Sequence, residues 1–232
     1  MGCVYEAFGI TCIIVLILAS YRAPYTLKMG TFLIGTAVIV LICIPFMLLR
    51  PRNYRNALVP AWCCRLLCRG LGVTMEVRGL ENVRKESDTI LIMNHQSVLD
   101  LCVLAYLWPV LGQVTVVTNK KIFYIPIFGF GAWLWGTMFR NVSQISGSMI
   151  ILQSNTPNVK GLQCQCPIQP VVISKFWFLN SEMKIFESGH VIIHIMPRIH
   201  TKGSDTDDLD SRIKQLRDVT KEEFSKLTQE VQ

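Results

Sequence analysis

Gly30 to Leu49 is a run of twenty residues without a charged side chain, and Arg50, Arg52, Arg55, Arg65 and Arg69 follow it directly. A helix rises about 1.5 Å per residue, so this run matches the roughly 30 Å of hydrocarbon in a bilayer. Arginine enrichment beside such a run marks the cytoplasmic side, so the remainder of the chain is expected in the cytosol. Pro45 is tolerated near the end of a membrane helix, because neighbours can satisfy the freed backbone groups. A second apolar stretch, Ala7 to Tyr21, is shorter. No basic residue precedes it, no small-x-small cleavage signal follows it, and Glu6 stands where a myristoylation signal needs Ser or Thr. It reads as a retained anchor. The expected division is residues 1–50 as a membrane anchor with one or two transmembrane helices, and 51–232 as a folded domain.

The composition agrees with that division. Hydrophobic residues make up 51% of the 232-residue chain, more than an ordinary soluble domain of this size carries. The net charge of +7 favours an anionic partner. With a membrane span present, lipid headgroups or a phosphorylated substrate are expected, and nucleic acid is not. None of the nine cysteines shows a C-x2-C spacing, which argues against a zinc site or a disulfide framework. Reduced cysteines facing the cytosol are the expectation.

Beyond the arginines, Val73 to Val77 alternates like a strand and Glu81 to Asp88 is a charged surface turn. Thr89 to Met93 is a short apolar run of the kind found in buried strands. Val98 to Leu107 reads as a helix, with Ser97 as its N-cap and Asp100 in its first turn. His95 therefore sits at a strand-to-helix junction with Asp100 within reach. A neutral imidazole held by a carboxylate can take a proton from a hydroxyl near neutral pH. Val114 to Thr118 is a second buried strand, followed by Lys120 and Lys121. Ile122 to Phe139 is aromatic and interrupted by Pro126 and glycines, so it is either core or a surface dipping into the bilayer. Asn141 to Asn158 is polar and weakly patterned. Ile168 to Ser174 is a strand candidate, and Glu182 to Phe186 with Val191 to Met196 read as a hairpin around Ser188-Gly189. Asp207 to Leu227 has the period of an amphipathic helix. His190, His194 and His200 lack partners at metal-ligand spacing, so no metal site is expected. Alternating strands and helices predict one α/β domain behind the anchor.

Several of these segments together resemble the lysophosphatidic acid acyltransferases (1-acylglycerol-3-phosphate acyltransferases). Asn94-His95-Gln96-Ser97-x-x-Asp100 matches that family's first motif. Lys120-Lys121, Tyr124-Ile125-Pro126 and Gly129 to Gly136 resemble the stretch leading to its second, which begins at Gly136-Thr137-Met138-Phe139. Pro167 to Ser174 resembles its fourth. The resemblance implies a glycerolipid acyltransferase-like α/β domain and a reaction between acyl-CoA and the 2-hydroxyl of lysophosphatidic acid, giving phosphatidic acid at the endoplasmic reticulum membrane. It implies no metal and no cofactor beyond acyl-CoA as co-substrate. His95 would be the general base and Asp100 its orienting partner. Asn94, Gln96, Ser97, Lys120, Lys121, Arg140 and Lys160 are the candidates for substrate binding.

The chain departs from the family in one region. The third motif, Phe-Pro-Glu-Gly-Thr-Arg, is absent, and no Glu-Gly-Thr-Arg occurs anywhere. Arg140 directly follows Phe139, where the family has Ile-x between them. Lys160-Gly161 resembles what normally follows the third motif. The domain is thus shortened between about 141 and 160, with a strand and helix expected to be missing. Two readings follow: an acyltransferase of reduced activity, or an impaired relative that binds lipid or regulates at the membrane.

Overall fold

The computed structural model describes residues 24–84, 88–140, 148–153, 166–199 and 206–232. Ala7 to Tyr21 and Lys160 lie outside them. The long apolar run forms helix α1, Tyr25–Leu48. Among the described residues it is the one helix long and apolar enough to cross a membrane. It starts five residues before Gly30 because its first turn belongs to the protein: Lys28 is 1% exposed, with Nζ 5.4 Å from the centre of the Phe186 ring. One side of α1 buries Phe32, Val40, Cys43 and Met47, while Ile34, Val38, Ile42 and Phe46 are exposed.

A short 3-10 turn, Tyr54–Ala57, leads into α2, Leu58–Gly70. The Asn56 carboxamide donates to the carbonyls of Met47, Arg50 and Leu134, drawing together the end of α1 and the later helix Phe128–Leu134. A central sheet follows, with β1 Val73–Arg78, β2 Thr89–Asn94, β3 Val114–Asn119, β4 Met138–Arg140, β5 Ser148–Gln153, β6 Ile168–Ile173 and β9 Gly189–Ile195. Helix α3, Asp100–Leu111, joins β2 to β3, and α4, Phe128–Leu134, precedes β4. The strand order is β1-β9-β6-β2-β5-β3-β4. Strands β2, β6 and β9 are apolar on both faces because both faces are covered. Leu91, Met93, Val171, Ile173, Val191 and Ile193 face α2 and α3 in the main core. Val172, Ile192 and Met196 face Phe224 and Leu227 of α5, Thr206–Glu230.

Three expectations are corrected. The stretch 141–158 is not without a strand. Ser148–Gln153 inserts between β2 and β3, antiparallel to both, so Met149 pairs with Met93 and Ile151 with Val116. Its four apolar residues supply the two-sided burial that a slot inside the sheet requires. The expected hairpin around Ser188-Gly189 does not form either. Ile185–Phe186, strand β8, pairs with Leu179–Asn180, strand β7. Asn180 Oδ1 accepts from the N–H groups of Glu182 and Met183 and so closes that turn. Strand β9 goes instead between β1 and β6, where both faces of its apolar run are buried. Finally, the cysteines are not all reduced: Cys68 of α2 and Cys102 of α3 are joined in a disulfide. Helix packing brings them together across 34 residues, a proximity their spacing does not announce.

Candidate active site

Strand β2 runs parallel to β6 and antiparallel to β5, β5 runs antiparallel to β3, and β3 runs parallel to β4. The C-terminal ends of β2, β3, β4 and β6 therefore share one edge of the sheet. Open α/β sheets bind ligands at that edge. His95 follows β2 there, Lys120 and Lys121 follow β3, and Arg140 ends β4 opposite Asn119. All three cations are exposed. Lys175, which follows β6, shares the edge. It was missed in the sequence because no patterned neighbour marks it.

His95 Nδ1 lies 2.5 Å from Asp100 Oδ2. A carboxylate can only accept, so the Nδ1 proton points at Asp100 and Nε2 is left as a base. The His95 side chain is half exposed and that of Asp100 is 1% exposed. Asp100 Oδ2 also accepts from the backbone N–H of Gln96 and of Ser97. The residues between them fold into a tight turn as a result. This turn displaces the expected cap: α3 begins at Asp100 itself, with Leu99 before it. Ser97 accepts from Leu99 N–H through Oγ and from Asp100 N–H through its carbonyl. The Asn94 carboxamide exchanges two hydrogen bonds with the backbone of Ile173. Gln96 donates to Ser174 O and accepts from Phe176 N–H. Their side chains tie the end of β2 to the end of β6 and so fix the loop that carries His95.

Burial pushes the Asp100 carboxyl above its usual range, against the pull of the Gln96 and Ser97 N–H groups and of His95. A carboxyl that keeps its proton to higher pH when folded makes the folded state bind more protons than the unfolded one. Stability from this group is then full below the unfolded value, about 3.9, and is lost as pH rises through the folded value. Asp100→Asn has no such titration. Urea unfolding midpoints between pH 4 and 7 are expected to fall less with pH in Asp100→Asn than in wild type. Parallel profiles would show that Asp100 titrates as it does in the unfolded chain.

His95, Ser97 and Asp100 line a cavity of about 670 Å³ whose other walls are mostly apolar side chains. That size is typical of ligand pockets. Its walls come from α1 (Leu33, Ala37, Val40), α2 (Pro60, Ala61, Cys64), α3 (Leu104, Ala105, Trp108), the segment around Pro126 and Phe128, and Met149 of β5. Trp108 lies eight residues beyond Asp100, about 12 Å along the helix axis. Its indole N–H donates to Tyr54 O at 2.8 Å, which fixes the ring. The aromatic stretch 122–139 thus contributes both core and cavity wall.

The acyltransferase family profile matches residues 74–160. A Caenorhabditis elegans protein, acl-2, whose name assigns it to the 1-acyl-sn-glycerol-3-phosphate acyltransferases, is 29% identical over 71% of this chain and 69% of its own length. Human 1-acyl-sn-glycerol-3-phosphate acyltransferase alpha is 22% identical over 85% of this chain and 80% of its own. In fold, the chain is similar to the crystal structure of PlsC, the 1-acyl-sn-glycerophosphate acyltransferase of Thermotoga maritima. The TM-score is 0.56 at 16% identity, covering 88% of this chain and 97% of that one.

Proposed function

We propose that the chain, like the acyltransferases it resembles in sequence and fold, transfers an acyl group from acyl-CoA to the 2-hydroxyl of lysophosphatidic acid, giving phosphatidic acid and CoA. The observation that carries this reading is a His–Asp pair in the wall of a largely apolar cavity of about 670 Å³. His95 Nε2 takes the proton of the 2-hydroxyl as its oxygen attacks the thioester carbonyl. Asp100 stabilises the imidazolium that results. The carbon–sulfur bond then breaks, and the CoA thiolate leaves and takes that proton. The cavity holds the acyl chain, and Lys120, Lys121 and Arg140 face the phosphate groups. These cations on the site's edge favour turnover over the reading of an impaired lipid binder.

The exposed apolar side of α1 fits lipid. On α2, Leu58, Trp62 and Leu66 are exposed beside Arg65 and Arg69, with Arg55 in the turn before them, as suits a helix at the headgroup level. We place the domain on the cytosolic face of the endoplasmic reticulum membrane. The test is an assay of carbonate-washed microsomes with labelled acyl-CoA of graded chain length and lysophosphatidic acid. Phosphatidic acid is expected to form in the pellet. Activity confined to the supernatant would sink the membrane assignment, and lipid binding without product would sink the reaction. Each buried methylene is worth about 0.8 kcal/mol. At about 1.4 kcal/mol per decade, kcat/KM is expected to rise about fourfold per added carbon until the chain reaches Trp108. Trp108→Leu moves that limit to longer chains. An unchanged profile would mean the chain lies elsewhere.

A further inference from the structure

Cys64, Cys68 and Cys102 meet where α2 packs on α3, with their sulfur atoms all within 4.8 Å of one another. Cys68 and Cys102 are bonded and almost sealed, at 1% and 0% exposed. Cys64 stands one helical turn before Cys68 on the same face of α2. It also lines the same cavity as His95. None of the three takes part in the proton transfer or bond-breaking of the acyl transfer proposed above.

We propose that these three residues form a thiol–disulfide exchange site, in which Cys64 displaces Cys68 from Cys102 and leaves the two helices bridged one turn further along α2. The Cys64 thiolate attacks Cys102 Sγ. The Cys64–Cys102 bond forms as the Cys68–Cys102 bond breaks, and Cys68 leaves as a thiolate that takes up the proton released by Cys64. Nothing is oxidised or reduced overall. Cys102 is the sulfur attacked because Cys64 and Cys68 share one helix. Their Cβ atoms stand about 5–6 Å apart, against about 3.8 Å in a disulfide.

The two bridges set two registers of α2 on α3. Pro60 and Ala61 on one helix, and Leu101, Leu104 and Trp108 on the other, line the cavity, so exchange reshapes its wall. Cys64 is also the sulfur a small thiol can reach, because it borders the cavity. Once the bridge has moved to Cys64, two small thiols reduce it and leave as their own disulfide. Disulfides are rare in cytosolic proteins, and those present are mostly transient and redox-active, as an exchange site would be. Burial pushes the Cys64 thiol up to about 11. The thiolate is the nucleophile, so exchange should quicken about tenfold per pH unit below that value.

This inference does not rest on the proposed reaction, and peptide mapping of the full chain in detergent tests it. After alkylation and tryptic cleavage without reductant, peptide 66–69 should be joined to peptide 86–120. In a Cys63→Ser, Cys68→Ser chain, peptide 56–65 should be joined to 86–120 instead. In Cys64→Ser and Cys64→Ala the original bridge should persist, with dithiothreitol reducing it about tenfold more slowly or worse. A purely structural cysteine would not move that rate. The proposal is overturned if Cys102 is alkylated in unreduced wild type. It is equally overturned if the Cys64–Cys102 bridge fails to form, or if the Cys64 variants are reduced at the wild-type rate.

Discussion

Replacing His95 with alanine is expected to lower acyl transfer by about 10²–10⁴-fold, the usual contribution of a positioned general base. No neighbour can take over. Among the described residues lining the cavity, the other titratable groups are Asp100 and Cys64. Asp100 is buried and committed through Oδ2 to two backbone N–H groups, and the Cys64 thiol is pushed up to about 11. The loss should fall on kcat, because His95 acts on the proton in flight and does not form part of the cavity's apolar wall. Asp100→Asn should lose less. The imidazole keeps its neighbour but loses the charge that stabilises its protonated form. The measurement is initial rate against acceptor concentration with labelled acyl-CoA. Wild-type turnover in His95→Ala would show that His95 is not the base.

Gly129→Val is expected to destabilise the protein by about 3 kcal/mol, at the upper end of ordinary overpacking. A Cβ at Gly129 would sit 2.1 Å from Phe123 O and 2.7 Å from Ile122 O. Both are backbone atoms of the 3-10 turn Lys120–Tyr124, so no side chain can swing aside. Ile127, two residues earlier, already has φ +66, a conformation that costs about 1–3 kcal/mol in a non-glycine residue. On its other side α4 is pressed onto α1, since a Cβ at Gly131 would lie 2.3 Å from Val40 Cγ1. The segment has no direction in which to relax. At about 2–4 °C per kcal/mol for a chain of this size, the midpoint of thermal unfolding should drop by roughly 6–12 °C. Gly30→Ala is the control, because nothing lies within 4 Å of its added methyl group. Equal melting of Gly129→Val and wild type would disprove the close approach.

The sequence revealed those parts of the fold whose burial is local and periodic. Thr89–Asn94, Val114–Asn119 and Ile168–Ile173 are short apolar runs bounded by turn residues, and each is a strand. His95 and Asp100 were legible as a pair because one short turn sets their separation. Other features depend on partners distant in the chain. Ser148–Gln153 has the same kind of apolar run, but its antiparallel direction comes from the slot between β2 and β3. Gly189–Ile195 takes β1 and β6 as partners although Ile185–Phe186 is nearer in sequence. Asn94 and Gln96 look like ligand-binding amides until the backbone of Ile173, at the end of β6, and of Ser174 and Phe176 just after it arrives beside them. Lys175 joins the catalytic edge only through sheet order.

In the placement proposed above, Leu33, Ala37 and Val40 make one helix both the lipid-facing element and a wall of the acyl cavity. An amphiphile dissolved in the bilayer would meet that chamber by diffusing in two dimensions, without first escaping into water. The quantity governing saturation is then the mole fraction of lysophospholipid in the surface, not its bulk molarity. Diluting the acceptor with inert lipid at constant total acceptor should slow the enzyme as effectively as withholding substrate.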